Sequence, residues 1–417
     1  MKRNGLLAMV FVLVLSGCGD LLGPDSEGWK SSQKSEFMSI VENDKYMSLC
    51  NQQALYEKVK STKNSQLMSQ LLVKYAENLA NGCINMKQFK AAQRARKARK
   101  IDTHFGVVTQ TVNKTTILSK LRAGATIEMI LKPYVPTVSQ YAALVNQYRS
   151  LSKEHNTSKA LLHKIRLNIE RTKVLPEHLG TNHILMNIPE MKVRLFEKGQ
   201  KNVEFRSVVG KTNMQTPVFS AKLQYVMVNP QWNVPDSIAR KSIIPRYQRG
   251  GNGYLAAKGM EIHRSYDLRS PKVNGGSVDW SKYPKAGKGY IPYKFIQKPS
   301  RRNGLGRVKF MFPNHFAVYM HDTQAKSLFK RDVRCYSHGC IRLEKPVTLL
   351  NYITEHYTNQ TVAAVKKRYD SGKSYMLRMK QSLPVHVTYL TTYVDVDGKL
   401  RSFDDIYRFD ALQKLNF

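Results

Sequence analysis

The chain has 417 residues, with 67 Lys plus Arg against 30 Asp plus Glu and a formal net charge of +37. That length admits roughly two or three domains, and such a charge draws polyanions to the surface. Nucleic acid would be the first partner to consider in the cytosol, but the N-terminus reads as an export signal and removes that argument.

Met1-Lys2-Arg3 forms a charged start, and Gly5 to Leu15 is an apolar run too short for a bilayer-crossing helix, which needs about 20 residues. The ending Leu15-Ser16-Gly17-Cys18 resembles the bacterial lipoprotein box, whose cysteine becomes the acylated N-terminus of the mature protein. The resemblance implies a signal peptide over 1–17, a lipid anchor at Cys18 and a linker over 18–35; an ordinary secretory signal that happens to contain a cysteine is the other reading. No second apolar run of spanning length follows. The remainder is expected to be soluble, tethered to a membrane and periplasmic, with no nucleic acid as partner. Polyanions in that compartment are envelope polymers that carry phosphate and carboxylate, peptidoglycan among them. The densest basic run, Lys87 to Lys100, "KQFKAAQRARKARK", is spaced by Ala like an exposed helix.

Residues 36–180 read as a mainly helical scaffold domain. The stretches "SQLMSQLLVKYAENLANG", "SQYAALVNQYRSLSKEH" and "SKALLHKIRLNIERTKVLP" repeat apolar residues at three- and four-residue spacings, with Asn81-Gly82 and Pro176 as stops. Cys50 and Cys83 fall in this part, and an oxidising compartment lets them form a disulfide. Two free buried thiols are the other reading. No Cys-x-x-Cys or His-x-x-x-His spacing accompanies Cys50, Cys83, Cys335 or Cys340, so no metal site is expected.

From His183 onward the texture becomes short alternating or β-branched runs, "HILMNIP", "VEFRSVVG", "LQYVMVNP", "VKFMFP" and "FAVYMH", parted by Gly, Asn and Pro. The class is therefore α+β, a helical part followed by a β-rich domain over 181–417. Within it, 246–302 is rich in Gly, Tyr, Lys and Pro with little periodicity and reads as an insert or lid. Tyr254, Trp280, Tyr283 and Tyr293 are its candidates for touching a long substrate.

His321 ends the run "HFAVYMH", and fifteen residues separate it from Ser337-His338-Gly339-Cys340. A thiol nucleophile needs a base or cation beside it, and a histidine on a neighbouring strand supplies one. Gly339 permits a tight turn in which amide groups face a developing oxyanion, and Arg342 presents a fork suited to a carboxylate. Cys335 and Cys340 are five residues apart, so on one extended strand they face opposite ways.

The spacing from His321 to Ser-His-Gly-Cys resembles the signature of the L,D-transpeptidases with a YkuD-type catalytic domain. The segments "HILMNIPEMKVRLFEKGQ", "VVGKTNMQTPVFSAKLQYVMVNPQWNVPDSIARKSIIP" and "VYMHDT" are similar to its long Gram-negative periplasmic branch, in which a capping subdomain, here 246–302, is inserted into the catalytic domain. Arg342 stands where the family usually has Asn. The resemblance implies Cys340 as nucleophile, His321 as base, the region of Asp322 as its orienting group, and His338 and Gly339 as the oxyanion turn. Ser337, Arg342 and Asp322 would bind substrate. The implied partner is the peptidoglycan stem peptide, the implied product a 3-3 crosslink made through a thioester, and no cofactor is required. A hydrolase, a transferase acting on an envelope lipoprotein, and a non-catalytic wall-binding lipoprotein remain the alternatives.

Overall fold

The computed structural model describes residues 25–95 and 104–415; Cys18, the signal segment and the end of the basic run lie outside the described residues. Helices form where the apolar spacing places them, at Ser65–Asn81, Ser139–Leu151 and Lys159–Lys173. The first begins at Asn64, whose side chain accepts from the Leu67 amide, and ends at Gly82 with φ 68°. Its Leu71, Leu72, Tyr75, Ala76 and Leu79 are fully enclosed. Two compact units result: 25–83 with 109–136 and 415, and 84–95, 104–108 and 137–414. The helical stretch 36–180 is thus shared between them, because helical periodicity tells that a face is buried and not against what. The basic run's helix, Met86–Ala95, buries Phe89 against Phe105 and Phe409 at centroid separations of 5.9 and 5.2 Å. In Lys159–Lys173, Asn168 bonds Thr391 and Arg171 pairs with Asp410 at 2.7 Å. In the smaller unit Cys50 and Cys83 are joined by a disulfide, with Cα atoms 6.2 Å apart.

The larger unit is built on β1 His183–Asn187, β2 Lys192–Glu197, β3 Gln200–Gly210 and β4 Phe219–Val228, an insert carrying β5 Trp232–Asn233, β6 Met260–His263 and β7 Lys294–Gln297, then β8 Val308–Met311, β9 Met320–His321, β10 Cys335–Ser337, β11 Ile341–Leu343, β12 Tyr375–Thr388, β13 Thr392–Val394 and β14 Leu400–Ser402. Nine strands form one sheet in the order β10-β3-β11-β9-β8-β4-β12-β1-β2, and β3 also pairs with β2, closing the sheet on itself. Closure leaves fewer free edges. One face forms the core: Phe310, Met320 and Ile341 oppose one another across β8, β9 and β11 and have no exposed surface.

The insert leaves the sheet after Val228 and returns at Val308, which are paired residues; the Asn229 amide donates to the Arg307 carbonyl at 2.7 Å across its root. It is an ordered subdomain with a three-stranded sheet, β5-β7-β6, around Ile243, Tyr247, Ile262, Trp280 and Phe295. Trp280 is 6% exposed and donates its ring N–H to the Gly275 carbonyl. It is a core residue, so the expectation that it meets substrate fails, and Tyr254, Tyr283 and Tyr293 pack against the same core. Irregularly spaced aromatics around short 3-10 turns carry no period, which is why the sequence looked loop-like.

His386 on β12 is buried, with Nε2 at 2.9 Å from the Leu179 carbonyl and Nδ1 at 2.8 Å from the Ser220 hydroxyl. A carbonyl only accepts, so Nε2 bears the proton and the ring is neutral. Burial, aided by His183 nearby, pushes its pKa down to about 4. The unfolded chain therefore binds a proton that the folded chain refuses, and stability is lost as pH falls from about 6.5 toward 4, by roughly 2 to 3 kcal/mol for this ring. Urea midpoints at pH 7 and pH 4.5 should show this drop, and His386→Asn should flatten it. Separately, Cys50→Ala with Cys83→Ala should cost roughly 3 to 4 kcal/mol in the chain-entropy account of a loop this long, read as a lower urea midpoint that reductant no longer changes.

Candidate active site

β9 lies between β8 and β11. It pairs His321 with Lys309 on one side and with Arg342 on the other. Because side chains alternate, the face opposite the Phe310–Met320–Ile341 row carries Lys309, His321 and Arg342 abreast. Tyr319 and Cys340 form the next row on that face, and the Ile341 amide donates to the Tyr319 carbonyl at 3.1 Å, which fixes the register.

The turn before Cys340 is held from inside. Gly339 has φ 114°, a left-handed value that favours glycine. Ser337 is buried; its hydroxyl donates to the Cys340 carbonyl at 2.6 Å and accepts from the Gly339 amide at 3.1 Å. The Gly339 carbonyl accepts from Thr216 Oγ1 at 2.9 Å, and Tyr407 bridges the Gly210 carbonyl and the Thr216 amide. Ser337 is thus engaged within the turn. The His338 and Cys340 amides form no hydrogen bond among the described residues, and these are the groups that can face an oxyanion. His338 is itself exposed, and partial burial together with Lys211, Arg342 and Lys241 holds its pKa below the ordinary value.

His321 is 4% exposed, and its Nδ1 lies 2.5 Å from the Asp322 carbonyl. That acceptor requires the proton on Nδ1 and leaves Nε2 as the basic atom. Burial first, then the Arg342 guanidinium, pushes the imidazole down to about 3, against the opposing pull of the Asp322 and Leu305 carbonyls. The Asp322 carboxylate does not enter the cleft. It accepts from the Thr323 amide at 2.7 Å, the Arg307 amide at 2.9 Å and Lys326 at 2.6 Å. Asp322 is 6% exposed and fully engaged, so its side chain anchors structure where substrate contact was expected of it.

Cys340 is partly exposed, its sulfur 3.8 Å from the Ala317 carbonyl. Burial raises its pKa, and Tyr319, Lys309 and Arg342 pull it back. Cys335 stands on a different strand, β10, opposite Val209, packed against the core. Burial pushes that thiol up to about 11. The two cysteines do differ in surroundings, although not through alternation along one strand as expected, because a turn separates them.

Two residues of the site escaped sequence reasoning. Tyr319 stands beside Cys340 in its row and meets the His321 ring edge-on at 5.6 Å, and Lys309 lies over the Tyr319 ring, 3.9 Å from its centroid. Tyr319 is two residues before His321, so period-two alternation was a usable signal; Lys309 depends on a strand pairing that no local pattern reveals. Among the described residues no group of three metal-ligating side chains includes Cys340 or His321.

A closed sheet that carries a Ser-His-Gly-Cys turn beside a strand-borne histidine defines a YkuD-type domain. Residues 181–374 match the family model of the L,D-transpeptidase catalytic domain, YkuD. A candidate L,D-transpeptidase of Haemophilus influenzae is 30% identical over 265 residues, 62% of this chain and 50% of the relative; the chain thus spans about half the length of that relative. Among solved structures, an L,D-transpeptidase from Mycobacterium smegmatis aligns at 12% identity over 50% of this chain and 58% of its own, with a TM-score of 0.22. The Ldtfm-avibactam carbamoyl enzyme aligns at 12% identity over 76% and 80%, with a TM-score of 0.25.

Gly306 tests the support of His321. It has φ 66°, and a Cβ there would lie 2.3 to 2.4 Å from Asp322 side-chain atoms. Gly306→Ala should cost roughly 1 to 3 kcal/mol in strain and, by displacing Asp322, slow acylation of Cys340 by about tenfold or more. Gly289→Ala is the control, equally left-handed at φ 94° but in open space. It should lower the melting temperature without changing the acylation rate measured by intact-protein mass spectrometry.

Proposed function

We propose that the protein is a peptidoglycan L,D-transpeptidase that joins stem peptides by 3-3 crosslinks through a Cys340 thioester. The observation that carries this reading is a neutral imidazole, His321, with its Nδ1 proton held by the Asp322 carbonyl and set on the same sheet face as the Cys340 thiol. His321 Nε2 takes the thiol proton as the sulfur attacks the carbonyl carbon of the third stem residue. The oxyanion so formed meets the His338 and Cys340 amides. Collapse expels terminal D-Ala, whose amine takes the proton from His321. An amine of a second stem then attacks the thioester, His321 again moves the proton, and the thiol is restored.

Arg342 and Lys309 give the site positive charge suited to stem-peptide carboxylates, while Ser337 and Gly339 act by shaping the turn. The lipoprotein box at Leu15 to Cys18 supports a membrane-tethered protein on the periplasmic side, and the basic composition supports attraction to an anionic wall.

A carbapenem serves as an acylating probe. Intact-protein mass spectrometry should show one adduct on the wild type and on Cys335→Ala and none on Cys340→Ala, while His321→Ala should form it at least about a hundredfold more slowly. Muropeptides from cells that carry the active protein should contain 3-3 dimers that disappear with Cys340→Ala. An adduct lost with Cys335→Ala would overturn the site. Tripeptide or lipoprotein-linked species in place of dimers would reassign the acceptor to water or to a protein lysine.

A further inference from the structure

A thiolate nucleophile is commonly paired with an imidazolium. Here that partner is strongly disfavoured, since burial and the adjacent Arg342 guanidinium hold His321 neutral down to about pH 3. Negative charge on Cys340 therefore needs another counter-charge, and the sheet brings one. Lys309 is abreast of His321 in the strand register, with its ammonium 3.9 Å from the centroid of the Tyr319 ring, and Tyr319 is the neighbour of Cys340 in the next row of the same face, fixed there by the Ile341 amide on its carbonyl. Lys309 forms no salt bridge among the described residues. Its neighbour on β4 is Met227, which carries no charge.

Among the described residues, the charged groups that act on His321 and Cys340 are the cations Lys309 and Arg342. β9 brings neutral His321, with Tyr319 just before it; from β11 comes Arg342, and beyond it His338, with Lys211 and Lys241 acting on that ring. The insert contributes the Leu305 carbonyl, which faces His321. The nearest carboxylate in sequence, Asp322, is engaged by the Arg307 and Thr323 amides and by Lys326. Burial lowers the Lys309 pKa and Cys340 opposes that, while Lys309 and Arg342 both pull the thiol down against its own burial.

We propose that Lys309 is the cation that stabilises the Cys340 thiolate, taking the place that a protonated histidine holds in other thiol enzymes. Lys309 is on this reading a positioning residue that acts through Cys340, and His321 serves as a transient proton carrier. The proposal rests on Cys340 being the nucleophile, and its test reads the thiol directly and not the acyl transfer.

The test is alkylation by iodoacetamide in the full chain carrying Cys335→Ala. The Cys340 sulfur attacks the methylene carbon, iodide leaves, and the thiol proton passes to solvent; intact mass follows the rate from pH 5 to pH 10. Lys309→Met should move the midpoint of the rate profile up by about one pH unit, a tenfold slower alkylation at neutral pH, and Lys309→Arg should restore the parent midpoint. Lys309→Gln repeats the measurement with a polar side chain should the Met variant lose its cooperative melt. An unchanged midpoint in Lys309→Met or Lys309→Gln would overturn the proposal, as would an equal upward shift in His321→Gln, which would make imidazolium the counter-charge. A Lys309-dependent midpoint in a protein that makes no crosslinks would retire the transpeptidase reading alone; carbapenem acylation with an unchanged midpoint would retire the role of Lys309 alone.

Discussion

Met320 and His321 make up a strand of two residues flanked on both sides by other strands, and alternation ties their fates together. Burying Met320 in the row with Phe310 and Ile341 obliges His321 to face the other way, toward the row that carries Cys340. A slip of one residue would exchange the two, placing an imidazole in the apolar core and a thioether in the cleft. The apolar burial that drives folding therefore also sets the direction of the base. The turn that delivers Cys340 is held independently, by Ser337, Thr216 and Tyr407, so that neither half of the site depends on a long flexible side chain for its position.

The electrostatics follow from the same placement. His321 is enclosed because its strand is interior, and enclosure keeps it neutral. Its partner at Nδ1 is a carbonyl, which selects a tautomer without adding charge. A carboxylate in that position would favour imidazolium and would also offset Lys309 and Arg342, leaving less positive charge for the thiol. The Asp322 side chain, one residue away, is turned onto the Arg307 and Thr323 amides and Lys326. The face around Cys340 is in this way left cationic.

Sequence reasoning reached furthest where the signal was local. The helix at Ser65–Asn81 announces itself through its apolar stripe, its Asn64 cap and Gly82. Ser337 to Cys340 stand out because few residue types permit that turn and that chemistry together, and the α+β class followed from the change of period near Gly180. What depended on pairing between distant segments stayed hidden. Lys309 joins the site only through the pairing of β8 with β9; Trp280 reads as a substrate-facing aromatic until the insert's core is seen around it. The division of the helices between two units was illegible for the same reason, since Phe89 on its basic helix finds its partners at Phe105 and Phe409, the second of them at the far end of the chain.

The insert and the base share a boundary, and this links a subdomain with its own core to the chemistry of a single imidazole. Its return segment, Leu305 to Arg307, runs beside β9. The Leu305 carbonyl faces the His321 ring, the Gly306 backbone lies close against the Asp322 side chain, and the Arg307 amide donates to the Asp322 carboxylate. Arg307 continues the clasp outward, stacking its guanidinium 3.7 Å from the Tyr369 ring centroid and bonding Asn229 at the outgoing end of the same insert. Both ends of the excursion are thereby fixed to each other and to the residue whose carbonyl holds the base. Close-packed contacts of this kind transmit displacement instead of absorbing it, so the root of the insert is part of what keeps His321 in its tautomer and orientation.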